Sequence, residues 1–427
     1  MTTVDAGWVS CDVAIVGGGL VGASLALALA SLPLTVVVIE AVPPEDPTQP
    51  SFDAKTTALS NGSARILAGL GVWDEIARDA TAIRQIHVSD RGHFGSALID
   101  AKEQGLAALG FVAENRRIGA ALWRRLQGMP RLQVRSPATV SAVTSHPEYV
   151  SLTLQEAKGV SQVRARLVVA ADGAQSLVRQ ASGVEATRVD YQQTAVIAKV
   201  LPERRQDAIA YERFTAEGPI AMLPAPEGRV VVVWTLTPEA AARVMALPDA
   251  VFLASLQTAF GWRLGRLVSV AERHAYPLAL TQASASSAAR VAIIGNAAQG
   301  LHPIAGQGFN LGLRDAATLA DVLADACLEA STETVDAGSE ALLQRFAAWR
   351  TRDRRLLIGF TDGLVRLFAS PFAPIRALRA LGLVLFDLSP IAKSALSKLS
   401  SGFAGRLPRL ARGVALTRPP DQKASVP

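Results

Sequence analysis

The sequence predicts an α/β fold: a parallel-sheet domain interrupted by an antiparallel sheet and followed by a helical C-terminal region. Three observations predict it. Short apolar runs end in glycine-bearing turns at 13–16, 167–171 and 290–295, the pattern of buried parallel strands. Between the last two, residues 191–236 read as successive strands joined by turns, which suits an antiparallel block. Beyond residue 363, basic residues are interleaved with Leu, Phe and Ile, as in Ile375-Arg-Ala-Leu-Arg-Ala-Leu381.

The elements follow in order. Val13 to Val16 is the first buried strand, and the Ala/Leu-rich run from Leu20 to Leu32 is a helix. Thr35 to Ile39 is β-branched and forms the second strand, ended by Glu40; four prolines then make 41–50 a loop. Residues 63–70, 73–79 and 119–126 read as helices, and 84–89 as a strand. Residues 132–143 and 150–154 alternate as strands, and 167–171 is a buried strand that ends at Asp172-Gly173. Strands at 191–200, 209–214, 220–223 and 229–236 make the antiparallel block, followed by a helix at 248–260 and a Ser/Ala-rich loop at 283–289. After the strand at 290–295 come a long helix from about Gln307 to Ala330 and a charged helix at 340–362.

Composition narrows the function classes. Of 427 residues, 50% are hydrophobic, enough for a sizeable core in two or three domains and incompatible with a disordered chain. Two cysteines, Cys11 and Cys327, exclude a disulfide framework and a cysteine-rich zinc site, and they suit a reducing compartment. The net charge of +6 is unevenly placed: residues 364–412 carry eight basic residues against Asp387 alone, and residues 1–363 sum to −2. Basic residues spaced among apolar ones suit a lipid surface, a partner protein or docking on the body, and no nucleic acid is expected as a partner. The uncharged stretch from Val13 to Ile39 is cut by Gly17, Gly18, Gly19, Gly22 and Pro33, and no Lys or Arg precedes Lys55. It is therefore neither a membrane span nor a signal peptide, and a cytoplasmic protein is expected.

Gly17-Gly-Gly19-Leu-Val-Gly22 is a G-x-G-x-x-G between a strand and a helix. Gly17 permits the tight turn, Gly19 lets the backbone approach a pyrophosphate, and Gly22 lets the helix pack on the strand. Glu40, 18 residues after Gly22, can accept from a ribose diol. This is a Rossmann-like dinucleotide cradle. Asp172-Gly173 lies at another strand end, where open α/β sheets bind ligands. The third motif runs from Gly295 to Asp315 and contains Asn296, His302, Pro303, Gly306, Gly308, Phe309 and Asn310. Gly306 and Gly308 permit close approach of a flat ligand. The helix start at Gly308–Asn310 offers N–H groups that stabilise negative charge on a heteroaromatic ring. His302 has no second ligand at metal spacing, so no metal is expected. Arg314 and Asp315 pair with each other or with neighbours.

These motifs, in this order, resemble the FAD-dependent aromatic hydroxylases of the para-hydroxybenzoate hydroxylase fold, and the third resembles the signature of the ubiquinone-biosynthesis hydroxylases. The stretches 88–93, 212–215, 218–224, 259–265 and 276–281 are similar to the polyprenyl-methoxyphenol (2-octaprenyl-6-methoxyphenol) hydroxylase branch. The resemblance implies a Rossmann-like FAD-binding domain in three parts (8–80, 111–185, 285–363), a substrate-domain segment at 81–110, an antiparallel-sheet substrate domain at 186–284, and a basic helical region at 364–427. It implies that Gly17, Gly19 and Gly22 hold the FAD pyrophosphate, Glu40 the ribose, and Asp172-Gly173 the FAD and NAD(P)H pyrophosphates. Gly295-Asn296 stands where most relatives have Gly-Asp, whose acid binds the ribityl chain; Asn296 keeps hydrogen bonding but loses the charge. Lys55 stands where arginine is usual near the cofactor and loses the bidentate fork. Arg65, Asn115 and Arg117 are further candidates for FAD contacts. His302, Pro303, Gly308 and Phe309 would form the flavin-ring environment, and Met222, Leu223 and Pro224 the substrate side or the sheet core.

The resemblance further implies that NAD(P)H reduces FAD, that O2 adds to give a C4a-hydroperoxide, and that its terminal oxygen passes to an electron-rich prenylated phenol. The cofactor carries this chemistry, so no protein nucleophile is needed. Other ubiquinone-biosynthesis proteins are expected as partners, and the spacing of basic and apolar residues in the C-terminal region suits peripheral contact with the inner membrane. Two alternatives stay open: a sibling hydroxylase acting at another ring position, and a flavin-binding scaffold subunit of the biosynthetic complex, which the departures at Lys55 and Asn296 keep alive.

Overall fold

A computed structural model describes residues 4–5, 8–46, 48–49, 55–92, 94–205, 208–300, 307–330, 335–369, 385–403 and 405–417. The first apolar run forms β1 (Trp8–Val16), followed by α1 (Leu20–Ala30) and β2 (Val36–Ile39). α1 is buried on nearly every side, because it lies between the sheet and two other helices, as an all-apolar helix must.

The chain then builds β3 (Thr56–Ser60), α2 (Asn61–Gly69), β4 (Thr81–Ile83), β5 (Gln85–Asp90), β6 (Ser96–Asp100), β7 (Gly110–Glu114) and α3 (Asn115–Leu126). Four strands follow: β8 (Leu132–Arg135), β9 (Ala138–Ser145), β10 (Val150–Glu156) and β11 (Gly159–Ala170). The strand expected over 132–143 is thus two strands. Its break falls at Pro137, which has no N–H for a ladder, and the two halves pair with different neighbours, β8 with β2 and β9 with β10.

The antiparallel block comprises β12 (Ala186–Pro202), β13 (Ile209–Phe214), β14 (Ile220–Pro224) and β15 (Val230–Leu236). Then come α4 (Pro238–Met245), α5 (Asp249–Phe260) and β16 (Leu267–Ala283). β17 (Val291–Ile293) returns to the first sheet, before α6 (Gln307–Glu329), α7 (Glu340–Ala369) and α8 (Pro390–Ser400). β16 was not expected; its Arg, Glu, His and Pro residues hide the period of two, and it is specified by pairing along β12.

In the first sheet β17, β11, β1, β2 and β8 lie side by side and parallel, and β10 and β9 extend it antiparallel. The second sheet runs β16–β12–β15–β14–β13–β5–β6, with a short strand at 299–300 beside β16; β13 and β5 are its parallel pair. α4 and α5 cover one of its faces, where Met222, Trp234, Phe252 and Phe260 are buried together. The opposite face meets a small antiparallel sheet, β3–β7–β4, through Ile83, Val112, Ala210 and Leu223.

The basic C-terminal region docks on the body where it is described. Arg409 pairs with Asp321 and Asp325, Arg406 stacks over Trp349 at 3.8 Å, and Leu410 packs on Gly69. Gly62 donates its N–H to the Ser401 carbonyl at 2.9 Å. These residues fit the docking reading rather than the lipid one; Ile375 to Leu381 lies outside the described residues. Among the described residues no helix is long and apolar enough to cross a membrane.

Candidate active site

β1, β11 and β17 run parallel, with Val16 opposite Ala170 and Ala170 opposite Ile293. Their carboxyl ends carry the three motifs, so the fold brings together turns that are 155 and 123 residues apart in sequence. Gly17 has φ +100°, and a Cβ there would come 2.4 Å from the Ala171 carbonyl oxygen. A Cβ on Gly22 would meet the Gly17 carbonyl oxygen at 1.9 Å. Only two glycines allow the start of α1 to press on this turn. Gly19 stands at the N-cap without a side-chain cap, and the first turn holds no acid. The amides there face the strand ends with the positive end of the dipole.

Glu40 closes β2 and is buried; its carboxylate accepts from the Gly18 amide at 2.6 Å and the Val42 amide at 2.9 Å. Each oxygen keeps a second lone pair for a diol. The Trp123 indole of α3 donates to the Gly18 carbonyl at 2.9 Å. Sequence reading missed this contact, because a tryptophan in an amphipathic helix reads as core.

Asp172 lies beside Gly17. Its Oδ2 accepts from the Val178 amide at 3.3 Å, whereas Oδ1 is buried and has no hydrogen-bond partner among the described residues. Burial pushes its carboxyl above the usual range, against hydrogen bonds from Ser176 and the Val178 amide. Arg179, three residues after Ser176, donates to the carbonyls of Ala174 at 3.0 Å and Ala297 at 2.8 Å, tying the second motif to the third.

At the third motif, Gly295 donates its N–H to Asp315 Oδ2 at 3.1 Å, and Gly295 and Gly312 both press on Val21 of α1. Asp315 is fully buried and also accepts from Gln299 at 2.8 Å and Arg350 at 2.7 Å, with Arg354 at 3.1 Å. Burial alone would raise its carboxyl; the Arg354 and Arg350 guanidiniums and these hydrogen bonds hold it below the ordinary range. Arg314 instead pairs with Asp353 at 2.9 Å. Asp315 and Arg314 therefore pair with neighbours and not with each other. Arg350 and Arg354 escaped the sequence reading, although their spacing of four places them on one helix face. The Asn296 side chain is exposed at the strand ends.

Asn310, expected to offer its backbone N–H, also makes side-chain bonds. Its side chain accepts from the Ser60 amide at 2.8 Å and donates to the Ala58 carbonyl at 2.8 Å, clamping the first turn of α6 to β3. A Cβ on Gly308 would meet open space, and Phe309 packs on the main core. His302, Pro303 and Gly306 lie outside the described residues.

The substrate-side expectation splits. Met222 is fully buried under α5, in the layer between sheet and helices, so its side chain is sheet core. Leu223, one residue on, faces the other way, toward Ile83 and Val112. Pro224 is buried at the end of β14. Lys55 lies 4.0 Å over the Tyr276 ring, so this cation reaches the second sheet. Asn115 accepts from the Thr57 hydroxyl at 2.6 Å. Arg65 lies over Phe403 at 4.8 Å, and Arg117 is an exposed residue paired with Asp79 at 3.3 Å; both have protein partners where FAD contacts were expected.

Residues of this kind fit a flavin dinucleotide. Gly17 and Gly22 leave no room for a Cβ, a helix start faces the strand ends, a buried Asp172 oxygen has no partner among the described residues, and the Asn296 amide is exposed at the third strand. The family model described as the FAD binding domain matches residues 10–352. The ubiquinone hydroxylase UbiL of Rhodospirillum rubrum is 38% identical over 415 residues, covering 95% of this chain and 93% of the relative. The 3-demethoxyubiquinol 3-hydroxylase of Escherichia coli is 32% identical, covering 92% of this chain and 98% of the relative. The crystal structure of p-nitrophenol 4-monooxygenase PnpA from Pseudomonas putida shares the fold, with a TM-score of 0.76 at 19% identity, covering 93% of this chain and all of that one.

Proposed function

This chain belongs to the FAD-dependent monooxygenases built on the FAD binding domain, and we propose that it hydroxylates the ring of a polyprenylated methoxyphenol in ubiquinone biosynthesis, with NAD(P)H as reductant. The observation that carries this reading is the meeting of the three strand ends, joined to a second sheet whose Ala210 and Leu223 face the small sheet β3–β7–β4. Both relatives named above take quinol-pathway names over nearly their whole length, which supports the substrate class.

Bound FAD supplies electrons from the nicotinamide and delivers one oxygen atom of O2 to an electron-rich ring. The residues of this chain hold and shield it. The α1 start with Gly17, Gly19 and Gly22 takes the pyrophosphate, Glu40 the adenosine ribose, and Asp172-Gly173 a further phosphate-side contact. Gly295 and Asn296 take the ribityl chain, with Asp315 fixing the Gly295 amide. The amides of the first α6 turn face the ring's negative charge, and Asn310 holds that turn against β3. Leu223 lines the substrate side, and Lys55 reaches from the cofactor side to Tyr276. Docking of the C-terminal region beside α2 and α6 leaves contact with the inner membrane, or with partner enzymes of the pathway, to residues outside this docked part.

The test is a flavin spectrum of the purified protein, followed by NAD(P)H-driven O2 uptake with prenylated methoxyphenols and mass analysis of the product. Phenol-stimulated uptake and a product heavier by one oxygen are expected. Stoichiometric FAD with NADH oxidation that no phenol stimulates would remove the hydroxylase reading and favour the scaffold one. Product position separates methoxyphenol hydroxylation from the ring position in the Escherichia coli relative's name.

A further inference from the structure

Glu212 stands where the architecture gives no structural reason for a carboxylate. β13 lies between β14 and β5, and its register sets Glu212 beside Ala221 and Val88. Two residues back, Ala210 packs with Leu223, Ile83 and Val112 on the face turned toward β3–β7–β4 and, through Asn310, the start of α6. Residues two apart in a strand share a face, so Glu212 belongs to this same face. The row continues across the sheet as Val233 and Ile197. At the edge, Phe386 and Leu396 of the C-terminal region close over Ile86 and Ile99. Glu212 is half-buried in this apolar surround, and among the described residues none hydrogen-bonds or ion-pairs with it. A carboxylate in that setting costs free energy unless something completes it.

The charged and titratable groups around it are engaged elsewhere. On the same face, Lys199 pairs with Glu114, Lys55 lies over Tyr276, and His274 pairs with Glu272 at 3.7 Å. Asp90 lies at the end of β5, and Asp387 and Lys393 pair with each other at 2.7 Å in the C-terminal region. His87, Tyr211 and Arg213 alternate to the reverse face. Burial alone acts on the Glu212 carboxyl and pushes it up to about 7. A general base works best when it titrates near the operating pH.

We propose that Glu212 receives the proton of the substrate's ring hydroxyl as oxygen enters the ring. The phenolic O–H bond breaks and its proton passes to a Glu212 carboxylate oxygen. The electron pair stays with the phenol oxygen and flows into the ring; a ring carbon gains one oxygen of O2 as a hydroxyl while the O–O bond breaks, and the second oxygen leaves as water with the two electrons that NAD(P)H supplied through the flavin. That carbon then loses its own proton to water, the ring becomes aromatic again, and Glu212 returns its proton to the first oxygen. The inference rests on the hydroxylase reading above and adds to it a residue that contacts the reacting ring.

The test compares wild type, Glu212→Gln and Glu212→Asp as holoenzymes, with 2-methoxyphenol and its prenylated derivatives as probes. Hydroxylated product per NADH consumed, bound-flavin absorbance and NADH oxidation are measured between about pH 5 and pH 9. The expected result for Glu212→Gln is a loss of about a hundredfold in hydroxylated product per NADH consumed, the low end of what a general base contributes, with flavin content unchanged. The wild-type limb near pH 7 disappears, and Glu212→Asp recovers part of the product. Infrared difference spectra over the same range are expected to show a protonated carboxyl that Glu212→Gln lacks. Equal coupling in Glu212→Gln and wild type, or absence of that band from wild type, overturns the inference and leaves the hydroxylase reading standing. Turnover of no phenol by wild type sinks both.

Discussion

A Cβ on Gly22 has nowhere to go, because the Gly17 carbonyl oxygen would lie 1.9 Å away. Gly22→Ala must push α1 off the turn that its amides complete. It should weaken FAD binding by roughly tenfold to a hundredfold, about 1.4 to 2.8 kcal/mol, as read by reconstitution of the apoprotein followed through flavin fluorescence. Asn296 permits the opposite experiment. Its exposed amide makes neutral hydrogen bonds, and charge-assisted ones are roughly twice as strong. Asn296→Asp should therefore tighten FAD severalfold in the same titration, and no change would remove the residue from the cofactor contacts. Glu212 carries a stability signature independent of catalysis. Its folded-state carboxyl titrates near 7, above its ordinary value, so the folded chain holds a proton that the unfolded chain has released. The stabilisation is fully present below the ordinary carboxylate pKa and is lost as pH rises through about 7. Glu212→Gln should flatten the fall in Tm between about pH 5 and pH 8, measured by thermal unfolding of both proteins.

Between elements, the sharpest dependence is the tie of α6 to α7 through Asp315, Arg350 and Arg354. All three side chains are removed from water, and Asp315 also holds the Gly295 amide. Asp315→Ala would leave the buried Arg354 guanidinium without its carboxylate and Arg350 with Asp353 alone, a loss of about 3 to 5 kcal/mol. Chemical denaturation should show it, together with a lowered flavin content. This tie was only half legible. Asp315 was visible as a charged residue beside Arg314, but no local pattern says which of several arginines on a later helix will reach it. The strands that carry the three motifs were legible because burial on both faces leaves continuous apolar runs. β16 was not, because its polar residues follow the pairing with β12 instead of an alternating pattern. Met222 and Leu223 show the same limit at closer range. Both are apolar neighbours in one strand, and only the position of α5 decides which is core and which faces the cofactor domain.

Across the whole molecule, the tail is held to the body by polar and apolar contacts together. Leu410 packs against Gly69, and Arg409 joins Asp321 and Asp325. Leu410→Ala should cost about 2 to 5 kcal/mol in unfolding free energy, whereas Arg412→Ala, exposed beside it, should change little. Equal effects would show that the tail adds no packing of its own. The excess positive charge there was legible as composition. Its use was not, because the acids that meet Arg409 lie 84 and 88 residues earlier, in a helix of the body.

The order in which the first sheet is strung also sets a timetable. β1 leaves the ribosome first, its partner β11 follows some 150 residues later, and β17 completes the trio only at Ile293. At roughly 5 to 20 residues per second of synthesis, the N-terminal glycine turn waits on the order of a quarter of a minute to a minute before the other two turns exist. Vitamin-derived cofactor therefore cannot meet all three turns before Ile293 has been made. Until then an Ala- and Leu-rich helix has no finished sheet to lie on.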